Sequence, residues 1–329
     1  MKRWISALLC AALSLGLAGC AAPAPEQSDG KLRVVATVFP GYDFARAVCG
    51  DLGEVTMLLP PGAESHSYEP TPADILAVQN CDLFIYIGGE SDAWVDTLLE
   101  SAQPQGAQLR MLECVDTLEE ETVEGMTAAG HDHDHGHGHD DHDDHGGLGK
   151  VVDVDEHVWT SPRNAIRITQ AIAEEAERLD PAHAESYASQ AADYEAQLTQ
   201  LDADFAAFFA GLDHPTLIFG DRFPLRYFAE AYGLTYYAAF PGCSAQTEPS
   251  AATIAFLTDK VKQEKIPTIY YIEFSNHLVA DSIAEITGAG TAEFQTCHNV
   301  SRQQMEEGAT YVSLMRQNLD MLRRTMPQN

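Results

Sequence analysis

Short apolar, β-branched runs alternate with stretches of helical periodicity along most of the chain. The pattern predicts strands over Arg33–Phe39, Glu54–Leu59, Asp82–Ile87 and Gln108–Leu112, with helices between them over Tyr42–Cys49, Pro72–Gln79 and Asp92–Ser101. The second half repeats the scheme. Strands are predicted at Thr216–Phe219, Thr235–Phe240, Thr268–Phe274 and Ala292–Gln295, and helices at Leu225–Tyr232, Pro249–Gln263, His277–Thr287 and Arg302–Met326. Strands separated by helices of about ten residues imply βαβ units and parallel sheets. The expected architecture is two α/β lobes, with no close internal sequence repeat.

A long helical stretch lies between the lobes. Asp180 is a good N-cap and Pro181 suits the first helical position, and no Pro or Gly interrupts the chain until Gly211. Tyr187, Ala191, Tyr194, Leu198, Leu201, Phe205 and Phe208-Phe209 recur at three- and four-residue spacing, an amphipathic helix pattern. Such a helix would span roughly 45 Å and act as a rigid strut. Open parallel sheets bind ligands outside the carboxyl ends of their strands, so the strand ends of both lobes are expected to line one cleft.

The N-terminus has a different character. Met1-Lys2-Arg3 is basic, Trp4 to Gly19 are apolar or small, and Leu17-Ala18-Gly19-Cys20 follows. This reads as a secretory signal and not a membrane span. The terminal four residues resemble the lipobox of bacterial lipoproteins, in which the cysteine, here Cys20, becomes the lipidated first residue. Ala21 to Ser28 form a flexible tether. No other stretch reaches the ~20 apolar residues needed to cross a bilayer, which excludes a pump or channel. The chain thus divides into a signal over 1–19, a tether over 20–31, a first α/β lobe over 32–179, a linking helix over 180–211 and a second α/β lobe over 212–329. The expected location is exported and lipid-anchored on the outer face of the cytoplasmic membrane, with contact to the membrane by the lipid alone.

Charge narrows the function further. The chain of 329 residues carries 19 Lys+Arg against 50 Asp+Glu, a formal charge of −31 with its His counted neutral. Such a surface cannot release counterions from a phosphate backbone, so nucleic acid is excluded as a partner, and anionic lipid headgroups are disfavoured. A hydrophobic content of 45% is too high for an acidic disordered chain, so a core is expected. Beyond Cys10 and Cys20 of the signal there remain Cys49, Cys81, Cys114, Cys243 and Cys297. An exported compartment permits disulfides, and an odd number leaves at least one thiol unpaired. Sequence leaves the partners open; the architecture suggests Cys243–Cys297 and Cys49–Cys81.

Candidate chemistry falls at the strand ends. His66 lies in the turn-rich loop Pro60-Pro61-Gly62-Ala63-Glu64-Ser65-His66-Ser67-Tyr68-Glu69-Pro70, and His157 stands just before a helix in Asp155-Glu156-His157-Val158-Trp159-Thr160-Ser161-Pro162. In the second lobe the strands end at Asp221, at Glu273 and at Cys297-His298-Asn299. Two imidazoles from one lobe can therefore face carboxylates and an imidazole from the other. A mixed nitrogen and oxygen set suits zinc, with manganese or iron possible. Asp221 could instead cap a helix or pair with Arg222, and Glu273 could orient a ligand rather than bind the metal. His183, His214 and His277 read as ordinary solvated or hydrogen-bonded side chains.

Three segments together carry a resemblance: Pro61-Gly62-Ala63-Glu64-Ser65-His66-Ser67-Tyr68-Glu69-Pro70, Glu156-His157-Val158-Trp159-Thr160-Ser161-Pro162, and Tyr227-Phe228 with Tyr232-Gly233-Leu234. They look like the zinc/manganese solute-binding lipoproteins of bacterial metal ABC transporters, over nearly the whole mature chain. The resemblance implies two (β/α)4 parallel-sheet lobes joined by one rigid helix, a metal in the interlobe cleft, and delivery of that metal by a monomer to an ABC permease. By motif, His66 and His157 match the two first-lobe ligands. The family's third ligand, a His or Glu, has no clean match; Asp221 in Gly220-Asp221-Arg222-Phe223 is its substitute by neighbourhood. The fourth, usually an Asp, falls near His298, with Glu273 as the alternate.

The tract from His131 to His145 holds seven His (His131, His133, His135, His137, His139, His142 and His145) and six Asp in fifteen residues. Within the loop 130–147 it has no apolar residue with which to form a core, and it is expected to be a mobile loop of weak, exchangeable metal sites. Zinc-specific members of the family carry such a loop before the second His ligand, which favours Zn²⁺ over manganese. The leading expectation is a binding protein and not an enzyme. A zinc hydrolase using Glu273 or Glu64 as general base lacks any supporting His-Glu-x-x-His, Gly-x-Ser-x-Gly or P-loop pattern. A free-standing adhesin or metal buffer is the third class.

Overall fold

In the first sheet, Val34, Ala36, Leu83 and Ile85 point to one side while Val35 and Phe84 point to the other. That two-residue alternation, apolar on both faces, marks strands covered by helices front and back. The strands are β1 (Leu32–Ala36), β2 (Gly53–Met57), β3 (Leu83–Tyr86) and β4 (Ala107–Arg110), with helices α1 (Phe39–Cys49), α2 (Pro72–Asn80) and α3 (Ala93–Ala102) between them. All pairings are parallel, in the order β2-β1-β3-β4. This computed structural model describes residues 30–65, 68–89, 92–126, 154–244 and 248–326. The signal, Cys20, almost all of the tether, His66 and the tract from His131 to His145 lie outside the described residues.

Two helices follow, α4 (Pro162–Leu179) and α5 (Ala184–Ala210). The second sheet then repeats the first with β5 (Thr216–Phe223), α6 (Arg226–Tyr232), β6 (Thr235–Pro241), α7 (Ala251–Glu264), β7 (Thr268–Ile272), α8 (Leu278–Thr287) and β8 (Gly290–Phe294). Its order is β6-β5-β7-β8, again all parallel. The chain closes with α9 (Arg302–Glu306) and α10 (Tyr311–Thr325). The α/β architecture expected from the hydrophobic pattern is present in both halves.

Several boundaries differ, each for a local reason. β1 stops at Ala36 because Pro40 starts α1, with Phe39 already helical. β4 ends at Arg110, and Met111–Cys114 turn into a 3-10 segment. β5 runs on to Phe223, but its pairing register shifts between Phe219 and Arg222. Gly220 sits inside that irregular stretch, where a Cβ would lie 2.5 Å from the Cα of Ala280. Asp180 does not cap the long helix. Its carboxylate meets His183 Nδ1 and accepts from the Tyr187 hydroxyl, Pro181–His183 form a 3-10 turn, and α5 starts at Ala184. The last predicted helix is two: Gly308 takes φ +75°, and Ser301 and Thr310 each open a helix with a reciprocal capping box.

The eight apolar positions read from sequence on the linking helix are the eight that α5 buries. They do not form a bare strut. One continuous hydrophobic cluster runs from the inner face of the first sheet, through α1, α4 and α5, to the inner face of the second sheet and α10. The outer faces have separate clusters, Val35 and Phe84 with α2 and α3 on one side, Ile218 and Ile269 with α7 and α8 on the other. Both sheets lie within the single compact unit Leu32–Asn329.

Neither suggested disulfide forms: Cys49, Cys81, Cys114, Cys243 and Cys297 are all free thiols. Cys49 belongs to the central cluster and Cys81 to the outer face of the first sheet, so the sheet separates them. Cys297 is buried in the central cluster, whereas Cys243 is partly exposed, with its backbone N–H donated to Glu120.

Asp43 ties this core together. Its buried carboxylate on α1 accepts from the Tyr194 hydroxyl of α5 at 2.6 Å and from the Tyr311 N–H of α10 at 2.8 Å. Asp43→Ala leaves two buried donors without an acceptor, each costing about 1–3 kcal/mol. Urea unfolding at pH 7 should show a loss on the order of 2–4 kcal/mol. A loss below about 1 kcal/mol would show that the carboxylate does not hold the three helices together.

Candidate metal centre

A cavity of about 40 Å³ opens where the carboxyl ends of both sheets meet. Ala63, Glu64 and Ser65 line it from the loop after β2, and Arg222, Pro224, Gly242 and Glu273 from the second sheet. His157 and the residues Thr296, His298 and Asn299 after β8 complete the wall. Sites for organic ligands usually measure about 300–1,000 Å³, so this cavity accommodates an ion and little else. A larger cavity of about 710 Å³ lies around Pro215, Thr216, Pro267 and Thr268, at the amino ends of β5 and β7. That is the wrong end of a parallel sheet for a ligand site.

His157 is 3% exposed and held by Asp155, itself 1% exposed. One oxygen of Asp155 accepts the His157 backbone N–H at 2.9 Å and stands 3.1 Å from His157 Nδ1. With Nδ1 committed to the carboxylate, Nε2 is the nitrogen left to offer a lone pair. A carboxylate behind a histidine is the usual way a metal ligand is oriented and made more basic. Burial pulls the His157 pKa down, but the Asp155 charge and hydrogen bond outweigh it and hold the imidazole above its ordinary value. The Asp155 loop is anchored in turn by Tyr227, whose hydroxyl donates to the Asp155 carbonyl at 2.7 Å and accepts from the Leu118 N–H at 3.0 Å. Asp155 was not singled out as functional from sequence, although an acid two residues before a candidate ligand was a usable signal.

His298 faces His157 across the cavity, with ring centroids 6.0 Å apart. Trp159 packs edge-on against both rings, at 5.5 Å from His157 and 5.3 Å from His298. Two imidazoles sharing a tetrahedral zinc would place their centroids about 5 Å apart, close to the separation here. The Trp159 indole N–H donates to the Thr296 carbonyl at 2.9 Å and fixes the ring beside both. Among the described residues no group of three His, Cys, Asp or Glu side chains is arranged to hold a metal. The pair supplies two nitrogens, and His66 follows Ser65 of the cavity wall directly in sequence.

The second-lobe carboxylates take other roles. Asp221 is not among the residues lining the cavity. Its oxygens accept the backbone N–H groups of Arg222 at 2.8 Å and of Ile272 on β7 at 3.3 Å, in the stretch of β5 where the register against β6 shifts. Glu273 lines the cavity at 5% exposure, but its two oxygens accept from the Thr296 N–H at 2.7 Å and the Thr296 hydroxyl at 2.6 Å. The Thr296 hydroxyl in turn accepts from the His298 N–H at 3.3 Å. Glu273 therefore braces the His298 segment. Arg222, whose position showed no role in the sequence beyond pairing with Asp221, lines the cavity and reaches across to Glu64 at 3.5 Å.

A parallel-sheet lobe on each side of a cavity sized for one ion defines the two-lobed class of metal-binding solute proteins. The chain belongs to the zinc-uptake complex component A family, ZnuA, whose pattern matches residues 34–325. It is 31% identical to the zinc-binding lipoprotein AdcA of Streptococcus pneumoniae, in an alignment taking in 100% of this chain and 62% of AdcA. The chain thus spans about three fifths of that relative's length. It is also 31% identical to the high-affinity zinc uptake system protein ZnuA of Bacillus subtilis, over 98% of this chain and 97% of that one. The crystal structure of the Zn(II)-bound ZnuA-like domain of S. pneumoniae AdcA superposes with a TM-score of 0.69 at 28% identity, covering 91% of this chain and 100% of that domain.

Burial pushes the Glu273 carboxyl up to about 7 from its ordinary 4.5, against the pull of its Thr296 hydrogen bonds. A folded-state pKa above the unfolded one means the folded protein holds the proton more tightly. Stability from this group is present below pH about 4.5 and is lost as pH rises towards about 7. Glu273→Gln can accept from the Thr296 N–H and donate to its hydroxyl while carrying no charge. Metal-free Glu273→Gln should therefore lack that part of the pH slope and gain on the order of 1–3 kcal/mol over wild type at pH 8, read from urea unfolding at several pH values. Parallel pH profiles of variant and wild type would contradict the assignment.

Proposed function

We propose that this chain captures Zn²⁺ outside the cytoplasmic membrane and delivers it, as a monomer, to the permease of an ABC importer. The observation that carries the reading is the one-ion cavity with His157, backed by Asp155, facing His298 across it and Trp159 packed against both rings. Zinc is the cargo, taken by neutral imidazole nitrogens of His157 and His298 with His66 as the third donor. Asp221 and Glu273 are committed to backbone and Thr296 partners, which leaves a nitrogen-rich set. Nitrogen donors favour zinc over manganese, whose sites are richer in oxygen. The relatives named for zinc binding and zinc uptake point the same way.

The reading is of a carrier and not of a hydrolase. Glu273, the buried candidate for a general base, spends both oxygens on Thr296 and braces a ligand segment instead. Export with lipidation at Cys20 rests on the lipobox-like residues and on the S. pneumoniae relative being named a lipoprotein. No described helix is long and apolar enough to cross a membrane. The formal charge of −31 draws cations towards the protein, and the tract from His131 to His145 collects them in weak sites.

Metal content measured on three proteins tests this directly. Wild type should hold one tight zinc equivalent, a deletion of Gly130–Gly147 should keep it, and the pair His66→Ala with His157→Ala should lose it. Affinity should weaken as pH falls through the imidazole range, because a protonated ring cannot ligate. A tight equivalent that leaves with the tract, or strong binding unchanged well below pH ~5, would refute the cleft site.

A further inference from the structure

We infer that Asn299 is the positioning residue that fastens the His298 segment to the Ala63–Ser65 wall of the metal cavity, an inference that rests on the cavity holding zinc. Asn299 is 2% exposed, and its Nδ2 donates to the carbonyls of Pro60 at 2.8 Å and Ala63 at 2.9 Å. Those carbonyls belong to the tight turn, with Gly62 at φ +82°, that leads into the cavity wall Ala63-Glu64-Ser65. The other end of the amide is used as well, since Oδ1 accepts the Val300 N–H at 2.8 Å. One side chain thus joins residues 236 and 239 positions apart in the chain.

Its neighbours repeat the arrangement. The His298 carbonyl accepts from the Phe39 N–H at the start of α1, and the Thr296 carbonyl from the indole of Trp159, two residues beyond His157. The segment Thr296–Asn299 follows the last strand of the second sheet, yet it is tied to three elements around the first. Cys297, between them, is held at φ +62°, a left-handed conformation that a side-chain-bearing residue keeps only when its surroundings enforce it. His298 therefore belongs mechanically to the same body as His157 and the Ala63–Ser65 wall. Arg222 and Pro224 form the opposing face. Asn299 sets the spacing between His298 and the wall, so loss of its donors should loosen the ligand set without removing a ligand.

Asn299→Asp separates the two roles of the amide. It keeps the acceptor for Val300 but turns an oxygen towards the Pro60 and Ala63 carbonyls. Zinc affinity by chelator competition should fall about 10- to 100-fold, the usual cost of losing a partner behind the ligands. The visible absorption of the Co²⁺-loaded protein should change in intensity or position, which lowered stability alone would not cause. Should Asn299→Asp not fold, as judged by circular dichroism, Asn299→Ala removes the donors without adding charge and carries the same two readouts. A folded variant with wild-type zinc affinity and an unchanged Co²⁺ spectrum overturns the inference. A wild type that binds no tight zinc overturns the zinc reading itself, and this inference with it.

Discussion

The two sheets share one hydrophobic interior, and everything else in the molecule follows from that. Burying the inner faces of both sheets against α1, α4, α5 and α10 leaves no apolar seam along which the halves could separate freely. Burial of this kind contributes about 25 cal/mol per Å² of apolar surface, and a continuous cluster makes opening costly along its whole length. A chain of polar contacts threads the same region. Asp43 joins Tyr194 to Tyr311, the Tyr311 hydroxyl donates to the Trp159 carbonyl at 2.7 Å, and the Trp159 indole N–H reaches Thr296. The core and the metal cavity are thus two ends of one braced structure.

On the proposed zinc reading, this bracing is what makes a small cavity selective. A single ion offers few contacts, so discrimination rests on which donors face it and how firmly they are held. Here the His157 imidazole is held by Asp155, and the backbone of His298 by Glu273 through Thr296. The carboxylates of Asp221 and Glu273, which would suit oxygen-preferring metals, are used as struts. Arg222 and Glu64 close the mouth with a partly exposed ion pair, worth no more than about 1 kcal/mol and so easily exchanged.

Periodicity made the architecture legible. The alternation of β1, β3, β5 and β7 and the buried stripe of α5 were visible because each follows from a fixed repeat of the backbone. Element ends were less so, since Pro40, the capping boxes at Ser301 and Thr310, and the 3-10 turn at Pro181 act over three or four residues. For the site, His157 and His298 were readable as histidines at strand ends, and the cavity brings them together. Asp221 looked equally suitable, but it falls where β5 shifts register against β6 and its carboxylate is taken by the Arg222 and Ile272 N–H groups, a feature that depends on register and not on residue type. The suggested disulfides failed for a similar reason: sequence shows how far apart cysteines are along the chain, not which face of a sheet each occupies.

Zinc held by a nitrogen set built on His157 and His298 has a direct spectroscopic signature. Zinc K-edge X-ray absorption, on protein lacking Gly130–Gly147 and loaded with one equivalent, examines that set without the tract competing. The first shell should be dominated by imidazole nitrogens at about 2.0–2.1 Å. A shell of carboxylate oxygens with fewer than two imidazoles, or a sulfur ligand at about 2.3 Å, would contradict it.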